Sequence, residues 1–105
     1  MAELYPADVK AIIRLNGLRQ TPAADGYRPA HRIKPDYLTT GIHHYTGQDF
    51  LCPGGICEGT ITFLTPEVYP HCLQIGQIID IQEGERIVGT AEILEIYNKL
   101  LERRP

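Results

Sequence analysis

A chain of 105 residues has room for one domain and one hydrophobic core. Its formal net charge of −3 leans against nucleic acid as the main partner, because phosphate neutralisation by Lys and Arg supplies most of such a binder's affinity. Ten Gly and eight Pro favour many short strands over long helices, and the absence of serine removes any serine nucleophile.

The charge is unevenly spread. Residues 1–47 carry six Lys/Arg against four Asp/Glu, whereas residues 48–105 carry four against nine. A local basic patch in the first half is therefore compatible with the acidic whole. No apolar run approaches the ~20 residues that span a bilayer, so no membrane partner is expected. The start, MAELYPADVK, has neither a basic leader nor an apolar stretch, which predicts no signal peptide. Three cysteines, an odd number without a secretion signal, predict a cytoplasmic protein.

The first element is a strand, with Val9, Ala11, Ile13 and Leu15 alternating against Lys10 and Arg14. Asn16-Gly17 is a turn, and a loop rich in Pro, Ala, Thr and Gly runs to Asp25-Gly26. The next stretch puts Arg28, Arg32 and Lys34 on one parity and Tyr27, His31 and Ile33 on the other, one face basic and the other mostly apolar. Pro29 and Pro35 place it at an edge, a bulge or an irregular connection. Thr39 to Tyr45 reads as a third strand bounded by Gly41 and Gly47, with His43-His44-Tyr45 as a surface polar patch near its end.

Cys52-Pro53-Gly54-Gly55 is a turn, and Gly59, Ile61 and Phe63 alternate with polar residues in a fourth strand. Ile79 and Ile81 carry a fifth. Glu83-Gly84-Glu85 turns into a sixth, Arg86 to Ile93, with Ile87, Gly89, Ala91 and Ile93 facing one way. Gly84 suits a positive φ and Gly89 a bulge or close backbone approach. Six short strands predict an all-β fold, a six-stranded antiparallel β-barrel, since closure removes exposed edges. In the tail, Leu94, Tyr97, Leu100 and Leu101 recur at helical spacing with Lys99, Arg103 and Arg104 late, predicting a short C-terminal helix. It either docks on its own barrel or makes a partner or dimer contact.

Gly26-Tyr27-Arg28-Pro29, Thr39, Cys52-Pro53-Gly54-Gly55 and Glu83-Gly84-Glu85-Arg86-Ile87-Val88-Gly89 occur in that order. In order and spacing they resemble the C-terminal (third) domain of elongation factor Tu. The resemblance covers roughly residues 8–96, with about four extra residues around His71 to Gln77. Residues 1–105 thus read as one domain, an elongation factor Tu C-terminal-like barrel at 8–96 and a tail at 97–105. The resemblance implies contacts with the T stem of tRNA, and Thr39 and Glu83 are retained among them. The family's Gln after Gly-Tyr-Arg-Pro is Ala30 here, its Arg before Glu-Gly is Gln82, and an Arg that meets the GTPase domain corresponds to Ile78. No G-x-x-x-x-G-K-[ST] loop occurs, so neither a bound nucleotide nor any other cofactor is expected.

These readings lead to a non-catalytic macromolecule-binding module, not an enzyme. Its expected partner is a protein, as for a bacterial accessory or immunity-type factor that blocks or mimics translation-factor contacts. A translation-associated tRNA/RNA binder is the alternative. Arg28, Arg32, Lys34, Thr39, Glu83 and Arg86 are the candidate binding residues. The acidic set Glu83, Glu85, Glu92, Glu95 and Glu102 offers a second surface, for a basic protein. Cys52, Cys57, His71 and Cys72 suggest a zinc-dependent protein as a third reading, but their spacing is not that of a standard ligand set and no metal site is expected.

Overall fold

The computed structural model describes residues 6–103 and contains eight strands. In chain order they are β1 (Val9–Leu15), β2 (Ala23–Ala24), β3 (Ala30–Lys34), β4 (Tyr37–Tyr45), β5 (Phe50–Leu51), β6 (Ile56–Phe63), β7 (Ile78–Glu83) and β8 (Arg86–Ile96). Six of them close into an antiparallel barrel in the order β1-β6-β4-β3-β7-β8, while β2 and β5 form a separate pair. Arg104 and the first residues of MAELYPADVK lie outside the described residues. Among the described residues no helix is long and apolar enough to cross a membrane.

Alternation decides which side chains fill the barrel. Val9, Ala11, Ile13 and Leu15 of β1 are buried, as are Ile61 and Phe63 of β6 and Ile79 and Ile81 of β7. Each buried Val, Ile or Leu contributes about 1.5–3 kcal/mol relative to exposure. In β3 the inward residues are His31 and Ile33, leaving Arg32 and Lys34 on the outer face as their parity predicts.

β8 departs from simple alternation twice. Ile81 pairs with Gly89 but Gln82 with Ile87, so Val88 is an extra residue. Likewise Lys10 pairs with Glu95 but Ala11 with Ile93, which makes Leu94 extra. Each bulge flips the facing of the residues beyond it. Val88, Gly89, Ala91, Ile93 and Ile96 are therefore buried, and Ile87, expected among the inward residues, is 43% exposed. Gly89 is required at its bulge, because a Cβ there would lie 2.1 Å from the Arg14 carbonyl oxygen. Gly84 takes the expected positive φ, +61°.

The predicted C-terminal helix is not formed. Leu94 belongs to β8, and among the described residues the only helical geometry in the tail is a 3₁₀ turn at Lys99–Leu101, capped by Asn98 Oδ1 accepting from the Leu100 amide. The tail docks on its own chain. Leu101 is fully buried, and the His71 and Leu73 amides donate to the Leu100 and Leu101 carbonyls at 2.8 and 2.9 Å. The buried Asp8 fastens the same stretch, its carboxylate accepting from Asn98 Nδ2 and its carbonyl from the Tyr97 and Asn98 amides. Tyr97 and Leu100 remain exposed.

Candidate functional site

The outer face of β3 opens onto a cleft of about 470 Å³. Its floor includes Ile33, Ile79 and Cys72, all buried, and its rim carries Arg32, Lys34, His71, Asp80 and Arg103. Three formal positive charges thus face one negative charge. Arg32 is held in place by neutral acceptors, its Nε donating to Gln82 Oε1 at 3.0 Å and its Nη1 to the Pro35 carbonyl at 2.6 Å. Arg103 donates from Nη2 to the Cys72 carbonyl at 3.4 Å. Lys34 Nζ stands 5.8 Å from the centre of the Tyr37 ring. None of these three cations meets a carboxylate within ion-pair distance among the described residues. The guanidiniums are therefore positioned but not neutralised, as an anion-binding surface requires.

His71 enters the cleft from a left-handed backbone, φ 60°, an uncommon conformation for a side-chain-bearing residue. Its Nδ1 bonds to the Glu102 carbonyl at 3.1 Å, and since a carbonyl can only accept, Nδ1 is the donor. Burial pushes the Cys72 thiol pKa up, which keeps it protonated and unreactive near neutral pH.

Glu83 belongs to a different cluster. Its Oε2 accepts from both the Arg19 guanidinium and the Tyr27 hydroxyl, and its Oε1 lies 3.6 Å from Arg86 Nη2. Arg19 stacks over the Tyr27 ring at 4.5 Å, pinning the loop between β1 and β2 onto the β7–β8 hairpin. The Tyr27 hydrogen bond, first among several causes, holds the Glu83 carboxyl below its ordinary value, while burial and Glu83 raise the Tyr27 pKa. Arg86 points into solvent and Arg28 is exposed beside Tyr27. Thr39 is buried, with its hydroxyl 2.9 Å from the Tyr69 hydroxyl.

The expected surface patch at His43-His44-Tyr45 is mostly interior. β4 alternates through it, so His43 and Tyr45 point inward and only His44 faces out, 3.3 Å from Asp25 Oδ2. Inside, His31 and His43 approach Nε2 to Nε2 at 2.8 Å. The Thr39 carbonyl, 3.3 Å from His31 Nδ1, can only accept, so that nitrogen carries the proton and His31 Nε2 accepts from His43. His43 Nδ1 then accepts from the Tyr45 hydroxyl at 3.2 Å. Each ring nitrogen has a partner with both imidazoles neutral. Burial lowers the His31 pKa to about 4, and it lowers that of His43 well below the ordinary range, with His31 and His44 adding to the effect. Gly41 makes room for this pair, since a Cβ there would lie 2.8 Å from His31 Cε1.

Of the sequence-predicted binding residues, the structure brings Arg32 and Lys34 together in the cleft and keeps Thr39, Glu83 and Arg28 apart from it. Asp80 and Arg103 complete the cleft from distant parts of the chain, and Arg19 completes the Glu83 cluster. Cys52 is exposed and Cys57 and Cys72 are buried free thiols. Among the described residues no three His, Cys, Asp or Glu side chains converge in a way that would hold a metal ion. No known protein-family model matches this sequence.

Proposed function

We propose that this chain is a non-catalytic binding module, a barrel of the elongation factor Tu third-domain type, that holds an acidic protein partner in the cleft between β3 and β7. The observation that carries this reading is the set of three cations, Arg32, Lys34 and Arg103, none of them in an ion pair among the described residues and the two guanidiniums held by neutral acceptors. An accessory or immunity-type role in translation is compatible with such a module, because a factor that occupies another protein's surface needs no chemistry of its own.

The tRNA alternative is less supported. Of the two retained T-stem positions, Thr39 is buried against Tyr69 and Glu83 is engaged by Arg19 and Tyr27. The cleft lining includes no Tyr, Phe or Trp, and its one aromatic ring is the His71 imidazole. Fluorescence anisotropy with a labelled Glu/Val peptide and with labelled tRNA tests the choice. The expected result is salt-sensitive peptide binding that exceeds tRNA binding at equal ionic strength. Tight tRNA binding together with indifference to the peptide would overturn the reading.

A further inference from the structure

The ladder between β3 and β7 stops early. Ala30 pairs with Gln82 and His31 with Ile81, and the pairing ends there. Yet β3 runs on to Lys34 and β7 begins at Ile78. On their other sides both strands stay paired, β3 to β4 as far as Lys34 with Tyr37, and β7 to β8 as far back as Ile78 with Glu92. Each strand therefore has one occupied edge and one open edge, and the two open edges face each other across the cleft. The lining reflects this geometry, with Arg32, Ile33 and Lys34 on one wall and Ile78, Ile79 and Asp80 on the other.

An open strand edge is a template for pairing with another chain. We infer that this seam is a strand-addition site, in which an extended acidic segment of a partner protein enters between β3 and β7 and hydrogen-bonds to both walls through its main chain. The inference rests on the acidic-partner reading above and gives that partner a shape. It also gives it a sequence pattern. A strand lying in the barrel wall points alternate side chains inward and outward. Inward positions would meet the buried floor of Ile33, Ile79 and Cys72, and outward positions would meet Arg32, Lys34 and Arg103. The fitting segment alternates aliphatic and acidic residues over about three positions, since three residues line each wall and an inserted strand has the same ~3.3 Å rise per residue as the walls.

Charge selects against the reverse occupant. A Lys/Val segment would place like charges against three cations with only Asp80 to offset them. The strand geometry also distinguishes a peptide from single-stranded RNA, which has no amide groups to complete a β-ladder.

The test uses a Glu/Val peptide of alternating sequence, the same peptide N-methylated at its valines, a Lys/Val peptide and a uridine oligonucleotide, each titrated into the intact chain and followed by amide NMR. Strand addition predicts binding of the first peptide with slowed hydrogen exchange at amides within residues 32–34 and 78–80. It predicts about tenfold weaker binding on N-methylation and at least about threefold weaker binding to a Lys34→Ala chain. Equal affinity for the methylated and unmethylated peptides, or unchanged exchange at both walls, would overturn strand addition while leaving an acidic partner bound by side chains. Failure of both Glu/Val peptides, or binding of the oligonucleotide or the Lys/Val peptide instead, would overturn the acidic-partner reading as well. Because the decisive change is made in the ligand, misfolding of a variant cannot mimic the result.

Discussion

Inside the barrel, His31 of β3 and His43 of β4 are fully buried with a partner for every ring nitrogen; on the outer face of β3, Arg32 and Lys34 stand in an open cleft with their charge unanswered. Both regions are polar, and β3 contributes to each, His31 inward and Arg32 and Lys34 outward, while His43 comes from β4. The difference lies in what remains unmatched. A buried polar network with all its bonds made specifies a core, whereas positioned and un-neutralised cations leave binding free energy for a partner. The polar interior is thus part of the architecture and the cleft is the place to look for function.

The largest effect should come from breaking the sealed side. His43→Ala leaves a void and strips partners from His31 Nε2 and the Tyr45 hydroxyl, so urea unfolding should show a loss of about 4 kcal/mol. Acid should act on the same pair. With the His31 pKa lowered from 6.5 to about 4, the unfolded state binds protons that the folded state refuses. Stability is complete above pH 6.5 and falls by about 1.4 kcal/mol per pH unit for this one residue until the folded pKa is reached, with His43 acting in the same direction. Glu83, whose carboxyl is held below its ordinary 4.5, adds its own loss only below that value. Unfolding curves recorded across this range should show the histidine-driven decline beginning well above the carboxylate one.

Gly41→Ala sharpens the comparison at smaller cost. Its Cβ would meet Ile61 Cγ2 at 2.7 Å as well as His31, so a loss of about 2 kcal/mol is expected in the same assay. The smallest effect belongs to a cation outside the cleft. Arg28→Ala should change Glu/Val peptide affinity by less than about twofold and stability by less than about 0.5 kcal/mol.

Much of the barrel was legible because alternation is a side-chain signal. The Val9–Leu15 and Gly59–Phe63 patterns placed β1 and β6, and the two parities of β3 separated His31 from Arg32 correctly. The bulge at Val88 left a mark in Gly89, whose missing side chain the close approach requires, but the bulge at Leu94 was not legible, since one extra main-chain residue leaves no mark in composition. The second bulge also explains the mistaken helix. It carries β8 past Ile93, and the spacing of Leu94, Tyr97, Leu100 and Leu101 then imitates a helical face. His43 was misplaced because three adjacent polar or aromatic residues read as a patch until the strand's alternation separates them. Half of the cleft was visible in Arg32 and Lys34. The other half comes from residues 71, 80 and 103, with Asp80 brought by the place of β7 beside β3 and Arg103 by the tail folding back along Leu73.

The claim that the cleft binds and the interior only supports is tested most directly by one double variant, Lys34→Ala/Arg103→Ala, measured for both thermal unfolding and Glu/Val peptide affinity. Neither side chain makes an ion pair among the described residues, so the melting temperature should stay within about 3 °C of the parent while affinity falls more than about tenfold. Undiminished affinity, or a melting temperature that collapses along with it, would contradict the account.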